Sequence, residues 1–285
     1  MITRFLGMRS GGGRIWSYAR SEGILVSVTG TSHADENPRT AQNRRWARSA
    51  LQCWDLFPVA RQPRPLVLTG PVTRFERGFR SGQAKLAFHY GQIEADVPLP
   101  PGMLEMLRGS GAGPKAMREE RRRPKPLRIT QARPARAEFA TDRGKREFPA
   151  WQLGGPDVDG AFWALDPAVA AERWEPPEPA APKPFDGPPH RSASAVIEDD
   201  NLTVHFTFTG SPAGITEYPA AEVVETVQAL VILPTERDIG PPGFRECSGQ
   251  ARAVTARLTR PLSGRVLVDL DASPLGPYPL WWTLE

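Results

Sequence analysis

The clearest periodicity in the chain lies in NLTVHFTFTG, residues 201–210, where Leu202, Val204, Phe206 and Phe208 alternate with Thr203, His205, Thr207 and Thr209. A period of two places the first set on one face of a strand and the second on the other, which predicts a strand with one buried face. Val254, Ala256 and Leu258 alternate in the same way with Thr255, Arg257 and Thr259, ahead of the turn PLSG and the predicted strand RVLVDLD. Residues 223–233 read as one long β run. About five to seven antiparallel strands fit this C-terminal region, and a small sandwich or partial barrel is the economical way to pack them.

Upstream the period changes. Asn37 and Pro38 supply an N-cap and a first-turn proline, and Trp46, Ala50, Leu51, Trp54 and Phe57 then recur at helical spacing, predicting a helix over about 39–56. From Pro65 the pattern is one of short apolar runs bounded by Gly and Pro. PLVLTG and QAKLAFHYGQIEADVPL read as strands, the latter with Lys85, Ala87 and His89 opposite Leu86, Phe88 and Tyr90. Pro101 to Leu107 reads as a helical turn. LRIT, RAEFAT, REFPAWQL and GAFWALD read as further strands, with a hairpin at Asp142 to Gly144, and Asp166 with Pro167 opens a brief helix.

Three segments lack periodicity, and the polar, breaker-rich stretch GSGAGPKAMREERRRPKP, residues 109–126, reads as a loop or a disordered insertion. Residues 1–36 are glycine-rich and irregular apart from a β-like run at Ile24 to Val28, and read as a poorly packed lead-in. Residues 175–190 are rich in proline, cannot join a sheet, and form a stiff, extended spacer. The predicted organisation is a lead-in over 1–36, a β-rich domain with an N-terminal helix over 37–174, a linker over 175–190 and an antiparallel β domain over 191–285. A length of 285 residues suits two domains of roughly 100 to 150 residues each, and the 31 prolines and 26 glycines favour short strands and many turns. The expected class is mainly β with a few short helices.

Charge adds an asymmetry. Residues 1–190 carry 29 basic against 20 acidic side chains, whereas residues 191–285 carry 7 against 12. Such a division points to an anionic partner or to two units facing each other, although solvated surface charge explains it as well. No segment approaches the roughly 18 uncharged apolar residues of a membrane span, and the apolar runs near Met1 are broken before a signal-peptide core forms. As written the chain is expected in the cytoplasm; a start further upstream would make it an exported or envelope protein.

The candidate chemistry is sparse. His33, His89, His190 and His205 show no ligand spacing, and Cys53 and Cys247 have no CxxC or Cys/His neighbours, so no metal, cofactor or disulfide framework is expected. There is no GxSxG elbow, and Gly109, Gly111, Gly113 and Lys115 do not make a phosphate loop. His205 sits on the polar face of its strand and is available for acid and base work, and Asp269 and Asp271 share one side of the predicted VDLD strand. Residues 108–146 hold thirteen Lys or Arg, among them Arg121, Arg122, Arg123 and Lys125, a candidate anion site without a nucleic-acid motif around it. Most of the eight tryptophans lie in apolar segments and read as core.

EFATDRGKREFPAWQL followed by WALDPAV, and NLTVHFTFTGSPAG followed by EVVET and VTARLTRPLSGRVLVDLDASP, resemble uncharacterised actinobacterial proteins, many of them exported or lipid-anchored. The resemblance covers about residues 127–280 and implies β-rich domains; it transfers no active site. Those proteins often carry paired cysteines in the last domain, where this chain has only Cys247. The expected function is a non-catalytic binding or accessory role, with the β domains presenting surface to a protein or cell-envelope partner. The alternatives are a hydrolase-like enzyme, which requires His205 to converge with Asp269 or Asp271, and anion or nucleic-acid binding through 108–146.

Overall fold

A computed structural model of the chain describes residues 25–27, 38–110, 124–176, 193–240 and 249–277. Among them the protein is mainly β, built from several sheets of which none closes on itself. The C-terminal strands form two sheets. Strands β12 (Thr216–Glu225) and β13 (Ala229–Asp238) lie between β1 (Leu25–Ser27) on one side and β15 (Val266–Leu267) on the other. The second sheet is ordered β10 (Ser194–Ile197), β11 (Thr203–Gly210), β14 (Gln250–Arg257).

Both faces of the β12–β13 pair are covered. Ala229, Val231 and Leu233 pack with Ala47, Ala50, Leu51 and Trp54 of the helical segment, while Leu230 and Ile232 pack with Val204, Phe206 and Phe208 of β11. A strand buried on both sides reads as a continuous apolar run, which is why residues 229–233 show no alternation. β12 follows the same logic, with Glu222 and Val224 on the helix side and Ala221 and Val223 toward the second sheet. Glu225 therefore falls on the inter-sheet side. Its carboxylate accepts from Arg265 Nη1 and, at 2.9 Å each, from the amide and hydroxyl of Thr259. Arg265 in turn donates to the carbonyls of Arg260 and Pro261.

The covering helix α1 spans Pro38–Gln52 rather than reaching residue 56. Beyond it the chain tightens to i→i−3 turns, with Trp54 N–H on Leu51 O and Phe57 N–H on Trp54 O, both at 2.9 Å. This keeps Trp54 and Phe57 in the core and leaves Leu56 79% exposed. Trp174, from just before the proline-rich segment, closes over Trp54 with ring centroids 4.5 Å apart. The Ile24 to Val28 run contributes β1, which pairs with β12 through Val26 and Val224. Of the 175–190 segment, residues 177–190 lie outside the described residues.

The N-terminal strands make a four-stranded sheet ordered β2 (Thr73–Phe75), β9 (Phe162–Leu165), β7 (Gly144–Gly154), β6 (Gln131–Thr141). Two separate two-stranded sheets pair β3 (Gly78–Phe79) with β8 (Val158–Asp159) and β4 (Ile93–Ala95) with β5 (Leu127–Ile129). The hairpin predicted at Asp142 to Gly144 forms between β6 and β7, and Asp166 caps the short helix Pro167–Ala171 by accepting from Ala168 N–H at 2.9 Å. The hairpin turn reaches the C-terminal strands. Arg64 grips Asp142 through both terminal nitrogens, at 2.6 and 3.2 Å, and donates from Nε to Gly264 O, while Arg143 donates to the carbonyls of Ser263 and Arg265.

Three expectations are corrected. QAKLAFH is a helix, α2 (Gly82–His89), because Ser81 caps it and Ala84, Ala87 and Phe88 form a buried i, i+3, i+4 stripe that outweighs the apparent alternation. Residues 223–233 are not one run but the facing parts of β12 and β13, joined by a turn in which Thr226 Oγ1 accepts from the amides of Gln228 and Ala229. The strand read as RVLVDLD ends at Leu267, because the chain turns back through Ala272 at φ +66°, and Asp269 and Asp271 lie in that turn. The helical turn at Pro101 to Leu107 is helix α3 (Met103–Ser110).

A buried carboxylate held by one arginine is costly to strand alone. Glu225→Gln is expected to lower stability by about 3 kcal/mol or more, and Glu225→Leu combined with Arg265→Met by less than either single change. Urea unfolding of Glu225→Gln, the two single changes Glu225→Leu and Arg265→Met, and their double checks this; a double variant as unstable as the sum of its two singles contradicts it.

Candidate functional site

His205 stands where its alternation places it, on the outer, exposed face of β11. Its Nε2 lies 2.6 Å from Glu198 Oε1 and its Nδ1 3.2 Å from Thr255 Oγ1. Register puts Val196 and Thr255 beside it, Ser194, Thr207 and Ala253 in the next row on one side, and Thr203 with Arg257 in the next row on the other. Small residues line the Thr207 side of His205, and two adjacent charged pairs, Glu198 with His205 and Asp200 with Arg257, line the other side. The amides of Leu202 and Thr203 donate to Asp200 Oδ1 and hold that carboxyl at about 2. Val196, 50% exposed, is the apolar element of this face.

Asp269 and Asp271 are elsewhere. Asp269 Oδ1 accepts from Leu270 N–H at 2.7 Å, its carbonyl accepts from Ala272 N–H, and Asp271 Oδ1 accepts from Ser273 N–H. The turn packs toward α1: Val268, Leu270 and Ala272 belong to the helix-side core, and Trp54 Nε1 donates to Ala272 O at 2.9 Å. The inter-sheet core and the β12–β13 layer thus separate this turn from His205. Burial pushes the Asp269 carboxyl up to about 7, with the charge of Asp271 adding to the effect of desolvation.

In the basic segment, Arg121, Arg122 and Arg123 lie outside the described residues, and Lys125 is exposed. Five of the six described arginines between 108 and 146 serve the chain's own structure, while Arg146 is exposed. Arg108 donates to Ile93 O, Arg128 pairs with Asp96, Arg133 donates to Gln152, Arg136 pairs with Glu147, and Arg143 binds two carbonyls. His33, His190 and Cys247 are likewise outside the described residues, so the pairing of Cys53 with Cys247 is not described. Burial raises the Cys53 thiol above its ordinary value, and its Sγ lies 3.4 Å from Ser49 O. Among the described residues no three His, Cys, Asp or Glu side chains are grouped to hold a metal ion, and no helix is long and apolar enough to cross a membrane.

A second polar site lies under the first turns of α1, and periodicity alone did not single it out. Thr40 and Asn43 face Glu222 of β12 and Leu233, Pro234, Thr235 and Glu236 of β13 across a cleft of about 20 Å³. Arg44 Nε donates to both oxygens of Glu222 at 2.8 Å. Asn43 is only 6% exposed, and its Oδ1 has no hydrogen-bond partner. The signal available in the sequence was the pair of glutamates, Glu222 and Glu225, inside an otherwise apolar β run. Comparison with protein-family models, curated proteins and solved structures gives no match to this chain.

The raised carboxyl of Asp269 links folding to pH. Its folded value of about 7 lies above its unfolded 3.8, so the folded state binds the extra proton, and this group's contribution is fully favourable below about pH 4 and is lost as pH rises through 7. Asp269→Asn is expected to gain on the parent progressively from pH 4 to 8, reaching about 1 to 3 kcal/mol. Urea midpoints across that range measure it; parallel curves for the two proteins would refute it.

Proposed function

We propose that the protein is a non-catalytic binding or accessory protein that engages a protein or cell-envelope partner through its C-terminal β surface. The observation that carries this reading is the outer face of β10–β11–β14. Ser194, Thr207, Ala253 and Thr255 give a low surface that another backbone can approach closely, Val196 offers apolar area, and the Glu198–His205 and Asp200–Arg257 pairs border it with directional polar groups. Such a patch sets a low, small-residued area with one exposed apolar side chain against a charged edge, and so offers a partner both close approach and directional pairing. In this reading the two C-terminal sheets work as a small sandwich behind a linker at 175–190. The resemblance to exported and lipid-anchored actinobacterial proteins supports an envelope partner.

A hydrolase-like site draws no support from the geometry, because His205 is engaged with Glu198 and Thr255 while the aspartates lie behind the core. Anion binding through 108–146 is weakened by the arginines already committed to intrachain partners.

Thr207→Arg and Ala253→Glu place bulk and charge on this face without touching the core. Each is expected to leave the urea midpoint unchanged and to weaken capture of the partner from a host extract at least ten-fold, read by quantitative pull-down against the unaltered protein. Equal capture by the variants would move the interaction off this face.

A further inference from the structure

We propose that one face of the β2–β9–β7–β6 sheet binds an acidic sugar chain, one whose rings carry carboxylate groups. This stands apart from the reading of the C-terminal face and does not rest on it.

The site is a single row of side chains. Arg74 of β2 lies opposite Trp163 of β9, Trp163 opposite Gln152 of β7, and Gln152 opposite Arg133 of β6, so each of the four strands places one side chain on the same face. Arg74 and Arg133 are exposed, and Trp163 and Gln152 are half-buried. The two arginines come from the outer strands, yet both lean inward. The Arg74 guanidinium lies over the Trp163 ring, 5.7 Å from its centroid, and Arg133 Nε donates to Gln152 Oε1 at 2.8 Å. The two cations therefore stand closer together than the Cα span of the row, about 14 Å for three strand spacings.

What these groups leave unspent defines the ligand. Among the described residues neither guanidinium is paired with a carboxylate: Arg74 has the indole beneath it, and Arg133 commits only its Nε. Glu76, two residues from Arg74, turns its Oε2 to the amide of Ala161. Gln152 accepts through Oε1 and keeps its NH2 group to donate, and Gln131, on the same face as Arg133, lies against Gly154, where an added Cβ would meet its Oε1 at 3.3 Å. The row is thus rich in donors, two of them charged, and calls for a ligand with several oxygens and negative charge. A guanidinium backed by an indole presents its paired N–H groups for a carboxylate.

The geometry also selects the class of chain. A sheet face has no free backbone groups, because the ladder holds them, so an extended peptide laid across it leaves its own N–H and C=O groups unpaired. Single-stranded nucleic acid needs an open aromatic face for its bases, and here that face carries Arg74. A sugar chain carries its hydroxyls and carboxylates on the outside, within reach of side-chain amides and guanidinium groups, and its C–H surface meets the arginine stems.

The test uses the full ¹⁵N-labelled chain. The indole N–H of Trp163, the side-chain amides of Gln131 and Gln152 and the Nε–H groups of Arg74 and Arg133 are followed while trigalacturonate is added. Maltotriose supplies the sugar without the charge, and triglutamate and oligothymidylate supply the charge on other chains. The expected result is a saturable shift with trigalacturonate that none of the other three gives at the same concentration. Arg74→Gln and Arg133→Gln, both at exposed positions, are expected to keep the parent's urea midpoint and to weaken binding about ten-fold each, whereas Arg146→Gln, at an exposed position of β7, leaves it unchanged. No saturable shift, an equal shift with maltotriose, or full binding by Arg74→Gln and Arg133→Gln overturns the proposal. Equal binding of triglutamate or oligothymidylate overturns it too, and leaves a basic patch without preference for sugar.

Discussion

The burial of β12 and β13 on both faces is the constraint from which the rest of this structure follows. Where α1 covers it on one side and β11 on the other, over residues 222–225 and 229–234, the pair has no solvent face on which to place charge, yet β12 carries Glu222 and Glu225 there. Each must be answered where it stands. Glu225, with a side chain 1% exposed, is met by Arg265 and by both polar groups of Thr259, so the loop from Leu258 to Arg265 has to fold over the end of the sheet. That loop then supplies the carbonyls of Ser263, Gly264 and Arg265 to Arg143 and Arg64, which ties the β6–β7 hairpin to the same place. Glu222, on the opposite face, draws Arg44 and fixes how the first turns of α1 lie on the sheet.

The surfaces available for function are consequences of that arrangement. The second sheet spends Val204, Phe206 and Phe208 on the shared core, which leaves its other face to present threonines, small residues and the His205–Glu198 pair outward. On the helix side, seating α1 over Glu222 creates a narrow polar cleft in which Asn43 is enclosed without a partner for its oxygen. The turn at Asp269 is held to Trp54 through Ala272 O, and desolvation in that turn raises the Asp269 carboxyl. A buried carboxyl of that kind also marks many catalytic centres, but here His205 lies on the outer face of β11, across the core from it.

Much of the β architecture was legible because alternation is a direct read-out of one-sided burial. β11 and the buried positions of β14 follow from it, and so does the β6–β7 hairpin from its turn residues. Two-sided burial erases that signal: β12 and β13 merge into one apolar run, and the connecting Thr226, Val227 and Gln228 contain no glycine or proline to mark the turn. α2 was read as a strand because Leu86, 40% exposed, mimics the apolar half of an alternation. The end of β15 was missed because the left-handed residue there is Ala272, a residue type that does not announce such a conformation. Of the site residues, His205 was placed by pattern alone, whereas Asn43 acquires its character only when α1 meets β12 and β13.

Native-state amide hydrogen exchange tests the central claim most directly. If β12 and β13 are the two-sided core, the amides of Val223, Val224 and Leu230 to Ile232 exchange only through global unfolding, and those of Thr259 and Arg265 share their protection through the Glu225 lock. Exchange of the β13 amides as fast as those of the edge strands β10 and β14 would contradict the account and place the stable core elsewhere in the chain.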